Sequence, residues 1–134
     1  MAFSYRVSLQ VRHPYADPQR IIKGIGLPFV RSWAAGERRA TPNGKLLPGA
    51  YTESYCAFDI GKGDDGELAD FLRQTLKRIA PSAAFIAELR QTGGTLNFFI
   101  TWTPGERGEV FDVTLLTDMA RLGIALGIEP LAFI

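Results

Sequence analysis

The sequence predicts an α+β domain built as a two-layer sandwich, a mainly antiparallel sheet with helices on one face. Three observations predict it. Residues 3–12 alternate without a break, Phe3, Tyr5, Val7, Leu9 and Val11 against Ser4, Arg6, Ser8, Gln10 and Arg12, as a strand with one buried face must. Residues 96–103 alternate in the same way, Leu96, Phe98, Ile100 and Trp102 against Asn97, Phe99, Thr101 and Thr103. Between these stretches Leu68, Phe71, Leu72, Leu76 and Ile79 recur at helical spacing. Strands that are apolar on one side ask for helices on that side and leave the other open to water or to a partner.

The chain has 134 residues and nothing in it separates two cores, so a single domain over residues 1–134 is expected. Folding such a length buries about two-thirds of the unfolded surface, enough without disulfides or a structural metal. Cys56 is the single cysteine and cannot form an internal bridge. With no signal or transit segment before the first strand, the expected compartment is the cytoplasm. No apolar run approaches membrane-spanning length, and no membrane partner is expected. The formal net charge is +1, which gives no general pull toward nucleic acid or anionic lipid.

The elements follow in order. After the first strand, Asp17 before Pro18 fits an N-cap with proline at the first helical position; Ile21, Ile22 and Ile25 form the apolar stripe, and Gly26-Leu27-Pro28 closes the helix. Residues 29–53 are the least regular stretch, punctuated by Gly36, Pro42, Asn43-Gly44, Pro48 and Gly49. Asn43-Gly44 suits the tip of a tight hairpin with a type I′ turn. A second strand covers Tyr55–Ile60, with Cys56, Phe58 and Ile60 on its core side. Asp64 and Glu67 read as a capping box for the Leu68–Ile79 helix, which Pro81 breaks. Ser82 is placed to cap a shorter helix carrying Phe85, Ile86 and Leu89, ended by Gly93-Gly94, with a strand hairpin across those glycines as the alternative. The alternating strand at 96–103 follows, then a helix with Leu115, Leu116, Met119 and Ala120, stopped by Gly123. A last strand runs through Ile124, Leu126 and Ile128, and Pro130 places it at an edge or a bulge. This order describes a ferredoxin-like sandwich with an extra helix and a hairpin insertion; no residue pattern repeats at a fixed period.

Several motifs fail on their chemistry. Gly61-Lys62-Gly63-Asp64-Asp65-Gly66 matches a dinucleotide fingerprint in letters, but Asp64 and Asp65 at the helix start would repel a pyrophosphate. They serve better as partners of exposed N–H groups. The acidic run Asp59, Asp64, Asp65, Glu67, Asp70 does not match a calcium loop: counted from Asp59, the third, fifth and sixth positions are Gly61, Gly63 and Asp64. Around Gly44-Lys45, seven residues separate Gly36 from Gly44 and Leu46 follows the lysine, so no phosphate loop forms. His13, the only histidine, lies at a strand end without a nucleophile beside it, and Cys56 on an apolar face lacks the electropositive setting of a reactive thiolate. No catalytic residue, metal or cofactor is assigned.

Two surfaces remain as candidates. Arg31, Trp33, Arg38, Arg39, Thr41, Lys45 and Tyr51, with Tyr55 just beyond, put cations and aromatics on the long irregular segment, where guanidinium forks can hold a carboxylate, a phosphate or a nucleotide. Against this, Trp33 would plug one end of the core while the arginines stay solvated. The second surface is the open sheet face, Arg6, Gln10 and Arg12 with Tyr55, Asp59, Asn97 and Phe99, which could meet a second copy of the chain or stack bases. The near-neutral charge and the lack of an RNA-recognition signature favour homodimer packing or solvation over nucleic acid.

Gly26-Leu27-Pro28, Gly36-Glu37-Arg38-Arg39, Thr41-Pro42-Asn43-Gly44, Tyr51-Thr52-Glu53-Ser54-Tyr55 and Leu122-Gly123-Ile124 together resemble a bacterial family of small proteins known as domain of unknown function 4279. The resemblance spans nearly the whole chain. It implies an α+β fold and brings no established activity; where family members often carry tryptophan after the Ser-Tyr pair, this chain has Cys56. Because no nucleophile–base pair, metal cluster or phosphate loop passes its test, the expected function is a non-catalytic binding or protein-interaction module, accessory or toxin-neutralising, whose partner is a protein or a small anionic ligand. An enzyme would have to draw on Arg31, Glu37, Arg38, Arg39, Tyr51 and Asp59; an RNA-binding protein would use Arg6, Tyr55, Asn97 and Phe99.

Overall fold

The computed structural model describes residues 2–131. The elements are β1 (Ser4–His13), α1 (Pro18–Ile25), β2 (Phe29–Trp33), β3 (Arg38–Ala40), β4 (Leu46–Ala50), β5 (Ser54–Gly63), α2 (Leu68–Ile79), a 3-10 turn (Ala80–Ser82), α3 (Ala83–Gln91), β6 (Thr95–Thr103), α4 (Val113–Leu122) and β7 (Ile124–Pro130). Five strands form one sheet in the order β2-β5-β1-β6-β7, while β3 and β4 pair separately. The β2-β5-β1-β6 part is antiparallel throughout, with α1 linking β1 to β2 and α2 with α3 linking β5 to β6. That is the ferredoxin-like arrangement. To it the chain adds β7, parallel to β6 after α4, and the β3–β4 hairpin between β2 and β5.

The alternation read from β1 sorts the two faces. Phe3, Tyr5, Val7, Leu9 and Val11 are buried and join Cys56, Phe58 and Ile60 of β5 and Leu96, Phe98 and Ile100 of β6 in one core. Ile21 and Ile25 of α1, Leu72, Leu76 and Ile79 of α2, Ile86 and Leu89 of α3, and Leu115 and Met119 of α4 close that core from the helical side. Each such side chain is worth roughly 1.5–3 kcal/mol when fully buried. The opposite face carries no helix, and its β1 residues Ser4, Arg6, Ser8, Gln10 and Arg12 are exposed or half-buried.

Local signals settle most ends. Asp17 Oδ1 accepts from the Gln19 N–H at 3.0 Å with Pro18 at the first helical position, and Gly26 closes α1 at φ +72°. Pro81 ends α2 in the 3-10 turn, and Pro130 lies on the outermost strand.

Four local expectations are corrected. The hairpin tip is not a type I′ turn, because Asn43 keeps a negative φ; the Gly44 N–H donates to the Thr41 carbonyl at 2.9 Å, so Pro42 and Asn43 are the central residues and Gly44 follows at φ +89°. Proline's fixed φ near −65° suits the first central position of a type I turn, and glycine then takes the bulge. Asp64 and Glu67 do not form a capping box: Asp65 accepts from the Glu67 N–H, and the Ala69 N–H donates to Glu109 Oε2 at 3.0 Å, a partner forty residues away. Ser82 does not cap α3; its hydroxyl lies 3.5 Å from the Ile25 carbonyl, which it donates to. The second strand runs on to Gly63, so Gly61 and Gly63 belong to the sheet rather than to a loop before α2.

Candidate functional site

The irregular segment becomes a cleft because the chain doubles back after β2 without pairing to it. Glu37 N–H donates to the Ala34 carbonyl at 3.1 Å, Glu37 Oε2 accepts from the Ala34 N–H at 3.2 Å, and Gly36 supplies φ +84°. This tight turn reverses the chain into β3, which pairs with β4 and leaves β2 as the outer strand of the main sheet. Ser54 Oγ, buried at the start of β5, holds the turn by accepting from the Ala35 N–H at 3.0 Å.

Aromatic stacking fastens the hairpin to the helix-free face. Trp33 lies opposite Tyr55 in the β2–β5 register, with ring centroids 4.4 Å apart and planes at 23°. Tyr51 stacks on the same indole at 4.2 Å and 11°. Two near-parallel rings that close to one centroid must occupy opposite faces, so both faces of Trp33 are covered. The Arg31 guanidinium carbon sits 4.8 Å from the Trp33 ring, and that of Arg12 4.9 Å from the Tyr55 ring, which extends the stack with cations. Tyr51 Oη donates to the Ala40 carbonyl at 2.9 Å and accepts from the Ala40 N–H at 3.1 Å. Ala40 pairs with Leu46 across the hairpin, and the tyrosine hydroxyl serves the backbone groups of this β3 residue. Burial pushes the Tyr55 phenol above its usual range, against the opposing pull of Arg12 and Arg31, so it stays neutral.

Between β2 and the hairpin lies an open cleft of about 630 Å³. Arg31, Trp33, Arg38, Thr41 and Tyr51, all expected at the site, line it together with Glu37. Arg31 spends one donor on the Ala40 carbonyl at 3.0 Å, and Arg38 spends its Nε on the Leu47 carbonyl at 3.4 Å; these are backbone acceptors, not carboxylates. Trp33 Nε1 is buried and meets no acceptor. Arg39 and Tyr55 do not line the cleft: Arg39 binds the Pro48 carbonyl, and Tyr55 lies behind the indole at 9% exposure. The lining residues that the sequence reading did not place at the site include Phe29, Val30 and Leu46, large apolar side chains left 49%, 63% and 58% exposed. Their signal was the apolar pairs Phe29-Val30 and Leu46-Leu47 inside an otherwise polar, glycine-rich stretch.

The other candidates on the open face bind each other. Arg12 donates to Asn97 Oδ1 at 3.4 Å, Asn97 Nδ2 donates to Gln10 Oε1 at 3.2 Å, and Arg6 pairs with Asp59 at 3.1 Å. Phe99 is half-buried over Gly127, where a Cβ would stand 3.4 Å from its ring. A smaller hollow of about 310 Å³ is lined by Val30, Phe99 and the Arg6–Asp59 pair.

The two side chains with reactive potential are committed to structure. His13 Nδ1 accepts from the N–H groups of Tyr15 and Ala16 at 3.1 and 3.0 Å, and Nε2 contacts Thr92 Oγ1 at 2.7 Å. The Cys56 thiol is fully buried, contacts the Pro18 carbonyl, and is pushed up to about 12 by burial and by Asp17. Among the described residues, no group of three or more His, Cys, Asp or Glu side chains is placed to hold a metal ion, and no helix is long and apolar enough to cross a membrane. No family model, no curated protein and no solved structure matches the chain.

Proposed function

We propose that this protein is a binding module without chemistry of its own, and that an anionic group seated between β2 and the β3–β4 hairpin is what it recognises. The observation that carries the reading is the donor set of the cleft. Arg31 and Arg38 satisfy only part of their hydrogen-bonding capacity on backbone carbonyls. Guanidinium groups bond carboxylates and phosphates about twice as strongly as neutral acceptors. An anion in the cleft takes up the donors that remain. The structural duties of His13 and Cys56 support binding over catalysis, since neither is free to act as base or nucleophile.

Base stacking, the requirement of the RNA reading, is poorly served by the rings it named: Tyr55 is buried behind the indole of Trp33, itself covered on both faces, and Phe99 is half-buried. In this reading the protein is an accessory, cytoplasmic factor. The test is calorimetry with a panel of carboxylates, phosphates and chloride against the native chain and Arg38→Ala. Binding of at least one organic or inorganic anion, weakened about tenfold or more in the variant, supports the proposal. Heats indistinguishable from dilution across the panel would reject it.

A further inference from the structure

We infer that the ligand of this cleft is an organic monocarboxylate with an apolar body, rather than a phosphate or a nucleotide. The inference rests on the anion-binding reading above and narrows it. Two features of the lining carry it.

The first is charge. Arg31 and Arg38 face a single carboxylate, that of Glu37, whose Oε2 is held at the Ala34 N–H. The cleft therefore carries one net positive charge, which a monoanion neutralises and a dianion overshoots. A carboxylate also matches a guanidinium fork with two parallel N–H···O bonds. The second feature is the rim. Phe29, Val30 and Leu46 present large apolar surfaces at the mouth of the same cleft, 49%, 63% and 58% exposed. Val30 stands at a bulge, where the β2–β5 register slips between Phe29 and Arg31. Bulges re-aim a side chain, and this one lets Val30 line both the cleft and the adjoining hollow that Phe99 also lines. A ligand with its carboxylate at the arginines thus lays its body on three apolar side chains. An aromatic base would find no free indole face there, because Tyr51 and Tyr55 occupy both.

This chemistry has two sources, a free organic acid and the C-terminal carboxylate of a peptide with an apolar last residue. The experiment is calorimetry on the full chain with straight-chain carboxylates from acetate to octanoate, 4-methylpentanoate, the matching 1-alkanols, inorganic phosphate, and N-acetylglycyl-leucine as free acid and as amide. Affinity is expected to rise about threefold to fourfold per added methylene until the rim is covered, as burial of about 0.8 kcal/mol per CH2 gives. The alkanols should bind at least tenfold more weakly than the carboxylates. Leu46→Ser, an exposed position, should flatten the chain-length dependence and leave acetate unchanged; Arg38→Ala should weaken every carboxylate. A dipeptide acid that binds more tightly than 4-methylpentanoate, with its amide silent, identifies the peptide terminus as the source, and the reverse order identifies a free acid. Affinity independent of chain length, or phosphate binding more tightly than octanoate, overturns this inference while the anion reading stands. Silence from carboxylates and phosphate alike overturns both.

Discussion

His13 shows how a residue singled out for chemistry can be fully occupied by architecture. It ends β1 on the buried side at 2% exposure, and its Nδ1 accepts two backbone N–H groups from the turn into α1. With Nδ1 an acceptor, the ring proton sits on Nε2 and donates to Thr92 Oγ1, which in turn donates to the α3 carbonyls of Glu88 or Leu89. Protonation would turn Nδ1 into a donor facing two donors. Burial first, and the Arg20 cation second, hold the imidazole below its ordinary value. A histidine depressed in the folded state binds fewer protons than in the unfolded state, so stability rises with pH up to the unfolded value near 6.5 and falls as the solution is acidified below it. Because His13 is the only histidine, the loss of stability that sets in just below pH 6.5 belongs mainly to it. The melting temperature should drop as the pH falls below that value in the native chain, and His13→Gln should be less stable at pH 7 but flatter below it. An equal slope in the variant would assign the pH dependence to another group.

At the scale of elements, what could be read from the sequence depended on how local each cause was. The alternation of β1 and β6 is intrinsic to the strands, and Asp17-Pro18 and Gly26 act within one turn of the helix they bound, so all were legible. The start of α2 was not, because its cap comes from Glu109 on a loop forty residues away. Nor could the Tyr51–Trp33–Tyr55 stack be read, since it needs β2 beside β5 and the hairpin folded across them; the residues were named, but their use as a fastener was hidden. The helix pair α1 and α3 makes the same point with Gly24. As a helix-interior glycine it costs roughly 1 kcal/mol relative to alanine, yet a Cβ there would lie 2.3 Å from the Phe85 ring. Overpacking of that kind costs about 1–3 kcal/mol, so the steric term wins. Gly24→Ala should lower stability by up to about 2 kcal/mol in urea unfolding, although it improves helix propensity, and Gly24→Ala combined with Phe85→Leu should recover part of the loss. A stabilised single variant would show that Phe85 moves aside freely.

Across the whole molecule, stability and the candidate site are drawn from different parts of the chain. The buried core takes residues from β1, β5, β6, β7 and all four helices, and none from β2, β3 or β4. The segment from Phe29 to Ala50 is joined to that core by its ladder with β5, by the aromatic stack and by a few polar contacts. Binding elements are drawn from the less stable end of a structure, where opening costs less than global unfolding. Native-state hydrogen exchange should therefore divide the amides into two classes. Those of β1, paired on both sides with β5 and β6, should exchange only through global unfolding, while those of β3 and β4 should open locally and exchange at least about a hundredfold faster. Tyr51→Phe removes the hydroxyl that serves Ala40 on both its backbone groups, so it should speed hairpin exchange further and leave β1 unchanged. A bound carboxylate should slow exchange in the hairpin alone. If hairpin and β1 amides instead exchange together, the stack has made the hairpin part of the cooperative unit.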